Sequence, residues 1–171
     1  MSNQANASGV KSGHLPAKAM LIHMITNNYL IPDSGNDSVE GDAVQLYFPD
    51  PIDGTFAPEW HLEWDPSANA YYIKTQNSGR YLNAETVSPW AKPRLRSTGL
   101  TSSMLWNFVT VPGVPDTAGE PPVRAIVSRG NSYALAPHQH VLPANDTVVT
   151  HSRMWGGTPS FMHAFKVVPT A

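Results

Sequence analysis

Three apolar segments of this chain each lead into a short polar turn and then into a tyrosine. These tyrosines are Tyr29, Tyr81 and Tyr133, so both intervals between them are 52 residues. The turns before them contain Asn, Ser or Gly, which is typical of β-hairpins. A fixed period of this size predicts a repeat architecture in which every unit opens with a hairpin.

Two more strand-like segments follow in each unit, because apolar residues there alternate with polar ones or run continuously. The predicted third strands are 42–48, 92–96 and 146–151, and the predicted closing strands are 59–64, 105–109 and 162–167. The middle third strand is the weakest, since Pro93 cannot donate to a strand ladder. Four strands in each of three units predict a twelve-stranded, all-β protein.

The segments between the predicted strands favour loops over helices, because they hold many of the 16 prolines of the chain. Residues 1–17 are polar and lack periodicity, which predicts a flexible N-terminal extension. We expect one domain over residues 18–171. Its repeats are predicted at about 18–66, 67–116 and 117–171.

Composition narrows the range of partners. Charged residues make up only 14% of the chain and the formal net charge is -2, which gives no electrostatic reason to expect nucleic acid or an anionic membrane. The absence of cysteine excludes disulfides and favours a cytosolic protein. No signal-peptide pattern and no membrane-spanning apolar run occur in the sequence. We therefore expect a cytoplasmic protein, or one released without a classical signal peptide, that does not insert into membranes.

Catalysis is not predicted. The sequence has no Gly-x-Ser-x-Gly elbow, no phosphate-binding loop and no paired-carboxylate motif. His138 and His140 could share one side of a strand as metal ligands, but the spacing places no third ligand beside them. We expect a binding protein that is not an enzyme and uses no metal or other cofactor.

Three stretches resemble the repeat of ricin-B-type β-trefoil lectins, including the small cysteine-free lectins of fungi. They are residues 43–47 in the first unit and residues 78–83 and 105–108 in the second, and the resemblance spans residues 19–168. It implies an all-β β-trefoil with three pseudo-symmetric repeats. It also implies a carbohydrate-binding lectin, commonly for galactose or N-acetylgalactosamine, and a fungal protein with a role in defence.

The Q-x-W signature of that family is missing from every unit. The residue two positions before the closing aromatic position is Pro58 before Trp60, Met104 before Trp106, and Phe161 before His163. The resemblance is therefore carried by the strands and turns and not by this signature.

The resemblance also implies where sugar would bind. In family members with sugar sites, an acidic or amide residue just after the Tyr-Leu pair receives sugar hydroxyls, and an aromatic at the end of the third strand stacks on the ring. The corresponding residues are Ile31 and Tyr47, with Asp33 two residues beyond, in the first unit, Asn83 and Arg96 in the second, and Leu135 and His151, with Trp155 nearby, in the third.

A sugar site needs an apolar ring face and polar groups that are held on a rigid scaffold. Trp155 stands between polar residues and two glycines, which favours a contact surface over the core. For Tyr47 and Asp33 the alternative is hairpin packing and turn formation. We expect one or two working sites, around Tyr47 or around Trp155. The candidate carbohydrate-binding residues are Asp33, Gln45, Tyr47, Phe48, Asn83, His138, His140, His151 and Trp155.

The second hypothesis is a β-trefoil protease inhibitor, because such inhibitors insert a surface loop into an active site. Its candidate loops are the proline-rich stretches 48–54 and 111–122. Under the lectin hypothesis, glycans and glycoproteins are the partners, and weak single sites are strengthened by multivalency through the repeats or through a homodimer.

Overall fold

The computed structural model describes residues 15–34, 39–47, 59–86, 88–97, 101–138, 147–152 and 154–170. Within these ranges the chain forms twelve β-strands, and the prediction of a twelve-stranded, all-β protein is confirmed. The strands are β1 (Lys18–His23), β2 (Tyr29–Pro32), β3 (Val44–Tyr47) and β4 (Trp60–Asp65) in the first unit, β5 (Ala70–Thr75), β6 (Tyr81–Asn83), β7 (Arg94–Arg96) and β8 (Leu105–Thr110) in the second, and β9 (Val123–Ser128), β10 (Ala134–Pro137), β11 (Thr147–Ser152) and β12 (Ala164–Pro169) in the third. Short 3₁₀ turns lie at Ser102–Met104, Trp155–Gly157 and Phe161–His163.

Six strands close an antiparallel barrel. Around it the order is β1, β4, β5, β8, β9 and β12, and β12 pairs in turn with β1. The other strands form one hairpin per unit, β2 with β3, β6 with β7 and β10 with β11, and these connect the barrel strands at one end. A further pairing of β3 with β11 joins the first and third hairpins. We call the opposite end, where β4 turns into β5, the barrel mouth.

Equivalent positions of the three units fill one continuous core, because alternate residues of a strand point to the same side. The fully buried residues that recur in this way are Leu21, Ile73 and Ile126 in the barrel strands, and Leu30, Leu82 and Leu135 in the hairpins. Burial of these branched apolar side chains away from water drives the assembly of the three units around a common centre.

The closing strands place large rings in this core. Trp60 and Trp106 are fully buried, and their indole Nε1 atoms donate to the backbone carbonyl oxygens of Leu30, at 2.9 Å, and Leu82, at 3.0 Å. Each indole therefore ties the closing strand of its unit to the second strand of the same unit. A buried indole N–H normally finds such a partner, because leaving it unpaired costs free energy.

The third unit fills the ring position with Phe165. His23 and Thr75 begin equivalent turns in the first and second units. Phe165 is the strand partner of His23 and Trp60 is the strand partner of Thr75, so Phe165 and Trp60 are equivalent positions. The prediction that His163 takes this position is wrong by two residues. His163 lies instead where the resemblance places the glutamine of the Q-x-W signature.

The turn after the first strand has the same geometry in all units, but the spacing from this turn to the tyrosine differs in the third unit. Each turn has one residue with a positive φ, namely Asn27 (60°), Gly79 (66°) and Ser132 (64°). Tyr29 and Tyr81 come two residues after that position, whereas Tyr133 comes one residue after it. Ala134 therefore occupies the third tyrosine position, and the prediction of a constant 52-residue period is wrong for the third unit.

Candidate functional site

One side of the first hairpin carries three of the predicted residues. Asp33 extends β2, because its backbone N–H donates to the carbonyl oxygen of the residue before β3 at 3.0 Å. Gln45 and Tyr47 pair with Ile31 and Tyr29 across the hairpin. Alternate residues of a strand share a side, and so do directly paired residues. Asp33, Gln45 and Tyr47 therefore lie on one side, which we call the first-hairpin face.

The first-hairpin face combines a carboxylate, an amide and an aromatic ring near solvent. Tyr47 is 38% exposed, Asp33 is exposed and Gln45 is half-buried. Ile31, at the position where the resemblance implies a polar residue, pairs with Gln45 and so lies on the same face, where it is only 3% exposed. The predicted residue Phe48 lies outside the described residues.

The loop that follows Asp33 is organised by Asp42. The Asp42 carboxylate accepts hydrogen bonds from the Ser34 hydroxyl at 3.0 Å and from the Val39 backbone N–H at 2.9 Å. These are the contacts expected of a turn-forming carboxylate. Asp33 and Ser34 also lie in a turn, and the choice between a sugar contact and turn formation for Asp33 stays a prediction.

The second hairpin holds Asn83 in a buried position. Asn83 is 8% exposed, and its side-chain N–H donates to Glu85 at 3.5 Å. Within the described part of the chain, its side-chain carbonyl oxygen is buried without a hydrogen-bond partner. Such a group costs free energy unless a ligand or a water pairs with it.

Arg96 stands in the second hairpin where the first has Tyr47. Its guanidinium donates to both oxygens of Glu85, at 2.9 Å and 2.7 Å, and lies 3.9 Å from Glu40. The hydrogen bond from Arg96 holds the pKa of Glu85 below its usual range, and hydrogen bonds from Ser97 lower the pKa of Glu40. The second hairpin thus presents paired charges in place of an aromatic ring.

The third hairpin departs furthest from the implied sugar site. The strand register gives Ala136 and Ser152 the positions of Asn83 and Arg96, so Leu135 and His151 do not lie at the two positions predicted for them. Ser152 is buried and its hydroxyl is 3.0 Å from His163 Nε2. His140 and the side chains of His151 and Trp155 lie outside the described part of the structure.

His138 is brought against a tryptophan that the sequence analysis did not single out. The ring centroids of Trp90 and His138 are 6.0 Å apart, and the rings meet edge to face with an interplanar angle of 78°. Trp90 is 44% exposed and has a positive φ of 68°. The signal available in the sequence was an isolated tryptophan after Ser88 and Pro89 in a loop, a pattern shared by many surface residues.

Two features are absent from the described ranges. They contain no group of three or more His, Asp or Glu side chains arranged to hold a metal ion. None of their helical turns has the length and hydropathy to span a bilayer.

Comparison with known proteins gives no match to a protein-family model or to a curated protein. Solved structures do match. The designed threefold-symmetric protein ThreeFoil has a TM-score of 0.70 at 17% identity, over 90% of this chain and 99% of that chain. The Rhizoctonia solani agglutinin has a TM-score of 0.68 at 20% identity, over 91% and 97% of the two chains. The fold is a β-trefoil.

A third β-trefoil match is the Macrolepiota procera ricin B-like lectin in complex with lactose. Its TM-score is 0.63 at 15% identity, over 91% of this chain and 97% of that chain. At these identities the likeness establishes the fold and the predicted β-trefoil is confirmed.

Proposed function

We propose that this β-trefoil is a carbohydrate-binding lectin that recognises galactose- or N-acetylgalactosamine-type glycans through the first-hairpin face. The observation that carries the proposal is the placement of Asp33, Gln45 and Tyr47 on one side of the first hairpin, where Asp33 and Tyr47 are exposed. The protein acts by binding and not by catalysis.

The three side chains suit a pyranose ring. The apolar C–H face of the ring packs on an aromatic such as Tyr47, while hydroxyl groups donate to the Asp33 carboxylate and exchange hydrogen bonds with the Gln45 amide. Pairing of β3 with both β2 and β11 holds Gln45 in place. A preorganised set of this kind loses little entropy when the sugar binds.

The matched β-trefoils support the same class of ligand. One is described as an agglutinin and another as a ricin B-like lectin in complex with lactose. A shallow face with a single exposed aromatic gives weak binding per site. Cell agglutination by such a protein depends on several sites acting together, within one chain or in a homodimer.

The test is calorimetric titration of the full chain with lactose, galactose and N-acetylgalactosamine, with mannose as the contrasting sugar. We expect Tyr47→Ala and Asp33→Asn each to weaken binding by about tenfold or more, the loss expected of a central contact. Phe161→Ala is the matched control, because Phe161 is 51% exposed and lies in the third unit.

Two results would overturn this proposal. One is the absence of binding to any of the sugars at high protein concentration. The other is unchanged binding in both Tyr47→Ala and Asp33→Asn while thermal unfolding shows that the variants are folded.

The second candidate function is protease inhibition through the loop 111–122. Most of this loop is exposed, and it contains two tight turns, from Val114 N–H to the Val111 carbonyl and from Glu120 N–H to the Thr117 carbonyl, each 3.0 Å. Arg124 also holds Asp116 by two hydrogen bonds of 2.7 and 2.9 Å. A pinned, exposed loop fits an inhibitory segment, and assays against serine and cysteine proteases test it. If the protein inhibits none of these proteases, the inhibitor hypothesis is rejected.

A further inference from the structure

The barrel mouth contains a cavity of about 250 Å³. It lies beside the turn that joins β4 to β5, at the end of the barrel opposite the hairpins. Its walls include three aromatic side chains and three polar ones, namely Trp64, Tyr71, Phe108, Asn69, Asn107 and Arg124. None of the residues of the first-hairpin face lines this cavity.

The three units place different side chains at the layer of the barrel that borders the cavity. The strand pairings Ala19 with Trp60, Tyr71 with Trp106, and Arg124 with Phe165 show that Ala19, Tyr71 and Arg124 are equivalent. A methyl group, a phenol and a guanidinium thus occupy one pseudo-symmetric position. The layer therefore departs from the threefold pattern that Leu21, Ile73 and Ile126 keep in the barrel strands.

The three aromatic side chains of the wall contact one another in series. Trp64 and Tyr71 meet edge to face with centroids 5.0 Å apart, and Tyr71 meets Phe108 in the same way at 5.3 Å. Contacts of this geometry fix the rings relative to one another. Burial raises the pKa of the Tyr71 hydroxyl, so this group is neutral at physiological pH.

The charge of Arg124 in the polar wall is offset by a carboxylate. Arg124 is 12% exposed at its side chain, and its two terminal nitrogens donate to the two carboxylate oxygens of Asp116 at 2.7 and 2.9 Å. Because this guanidinium already pairs with a carboxylate, its attraction for an anionic ligand is reduced. The amides of Asn69 and Asn107 add neutral donors and acceptors.

The size of the cavity limits the ligand. Pockets for drug-sized molecules start at roughly 300 Å³, and the mouth cavity is smaller. One six-membered ring fits this space better than an oligosaccharide does. Aromatic side chains beside hydrogen-bonding groups are the surroundings that a sugar ring requires.

We propose that the barrel mouth binds the terminal pyranose ring of a neutral glycan, as a second sugar site separate from the first-hairpin face. The class of ligand rests on the carbohydrate-binding function proposed above, but the residues are different. The two sites lie at opposite ends of the barrel. One chain therefore bridges two glycans and cross-links cells without forming a homodimer.

The experiment maps amide chemical shifts of the full chain by NMR while galactose, N-acetylgalactosamine, glucose and N-acetylglucosamine are added separately. We expect one of these sugars to shift the amides of residues 69–71 and 107–108. Asn69→Gly tests the site without straining the turn, because Asn69 has a positive φ of 54° that glycine adopts freely. Asn27→Gly is the matched control, since Asn27 has a φ of 60° in a turn at the hairpin end.

We expect Asn69→Gly and Asn107→Ala each to weaken the mouth site by about tenfold, with Asn27→Gly unchanged. Tyr47→Ala should remove the shifts near the first hairpin and leave those at the mouth. The mouth site is rejected if no sugar shifts residues 69–71, or if Tyr47→Ala removes those shifts as well. Shifts at the mouth with none at the first hairpin support the mouth site and contradict the site proposed on the first hairpin.

Discussion

The ring layer of the core and the layer that borders the barrel mouth treat the three repeats differently. The ring layer keeps a large buried aromatic in every unit, as Trp60, Trp106 and Phe165. The mouth layer has Ala19, Tyr71 and Arg124 at positions that pair directly with those rings. Ala19 and Tyr71 pack in the same core as these rings, but Tyr71 and Arg124 also border the cavity, where neighbouring side chains constrain their volume less. Differences between the units are therefore the place to look for function.

The largest effect is expected when a ring of the ring layer is removed. Trp106→Ala removes a fully buried ring and its hydrogen bond to the Leu82 carbonyl. We expect the free energy of unfolding to fall by about 3–5 kcal/mol, as for other buried aromatic truncations. Urea unfolding measures it. Phe161→Ala, an exposed truncation in the same chain, should change the value by less than about 0.5 kcal/mol.

A smaller change asks whether the units are interchangeable in the ring layer. Trp60→Phe copies the third unit, where Phe165 fills the position, but it leaves the Leu30 carbonyl without its indole donor. We expect a loss of about 1–3 kcal/mol, the cost of an unpaired buried group and a smaller ring. A loss as large as that of Trp106→Ala in the same urea experiment would contradict the equivalence of the ring positions.

His23 gives the ring layer a pH dependence. It is 1% exposed, packs edge to face on Phe165 and hydrogen-bonds the Met162 carbonyl through Nε2 at 2.9 Å. Burial lowers the pKa of His23 from its ordinary value of 6.5. Below that value the unfolded chain takes up a proton that the folded chain resists, so the free energy of unfolding decreases as the pH falls.

The variant His23→Thr copies Thr75, which stands at the equivalent turn. We expect it to flatten the decline in stability between neutral and mildly acidic pH, measured by urea unfolding over that range. An unchanged slope would assign the acid sensitivity to other groups.

The smallest expected effect is at the mouth layer. Arg124→Met removes the ion pair with Asp116, whose side chain is 52% exposed. Because the carboxylate left behind faces water, we expect a loss of under about 1 kcal/mol. A loss comparable to that of Trp106→Ala would show that the mouth layer is as constrained as the ring layer, and would remove the basis of the comparison.

Much of the fold and part of the site could be predicted from residue types and spacing. Alternation within strands and a hairpin turn suffice to place Asp33, Gln45 and Tyr47 on one side, because the strand period is two. The same reasoning gave the twelve strands. Strand alternation and hairpin turns depend on residues that are close together in the sequence, so the residue types alone predict them.

The third unit could not be placed correctly from the sequence. Its left-handed turn residue is Ser132, although Gly130 and Asn131 beside it are better suited to that conformation. Alignment on Tyr133 therefore shifted the third hairpin by one residue. A one-residue shift moves every side chain to the other side of a strand, which is why the predicted roles of Leu135 and His151 were wrong in register.

Contacts between separate segments also could not be predicted from the sequence. Arg96 pairs with Glu85 eleven residues away, and Trp90 meets His138 from a different unit. No short spacing indicates either contact. Whether Asn83 or His138 contributes to binding stays a prediction, and the sugar titrations with residue-resolved NMR address both.

The pairing of the first strand with the last has a consequence for the order of the units. Ala19 lies opposite Pro169, and the Thr170 N–H donates to the Lys18 carbonyl at 3.1 Å. The two ends of the domain are therefore adjacent, so a short linker could join them while the chain was opened between β4 and β5. Such a circular permutant would keep every strand pairing of the barrel, with its new ends beside Asn69.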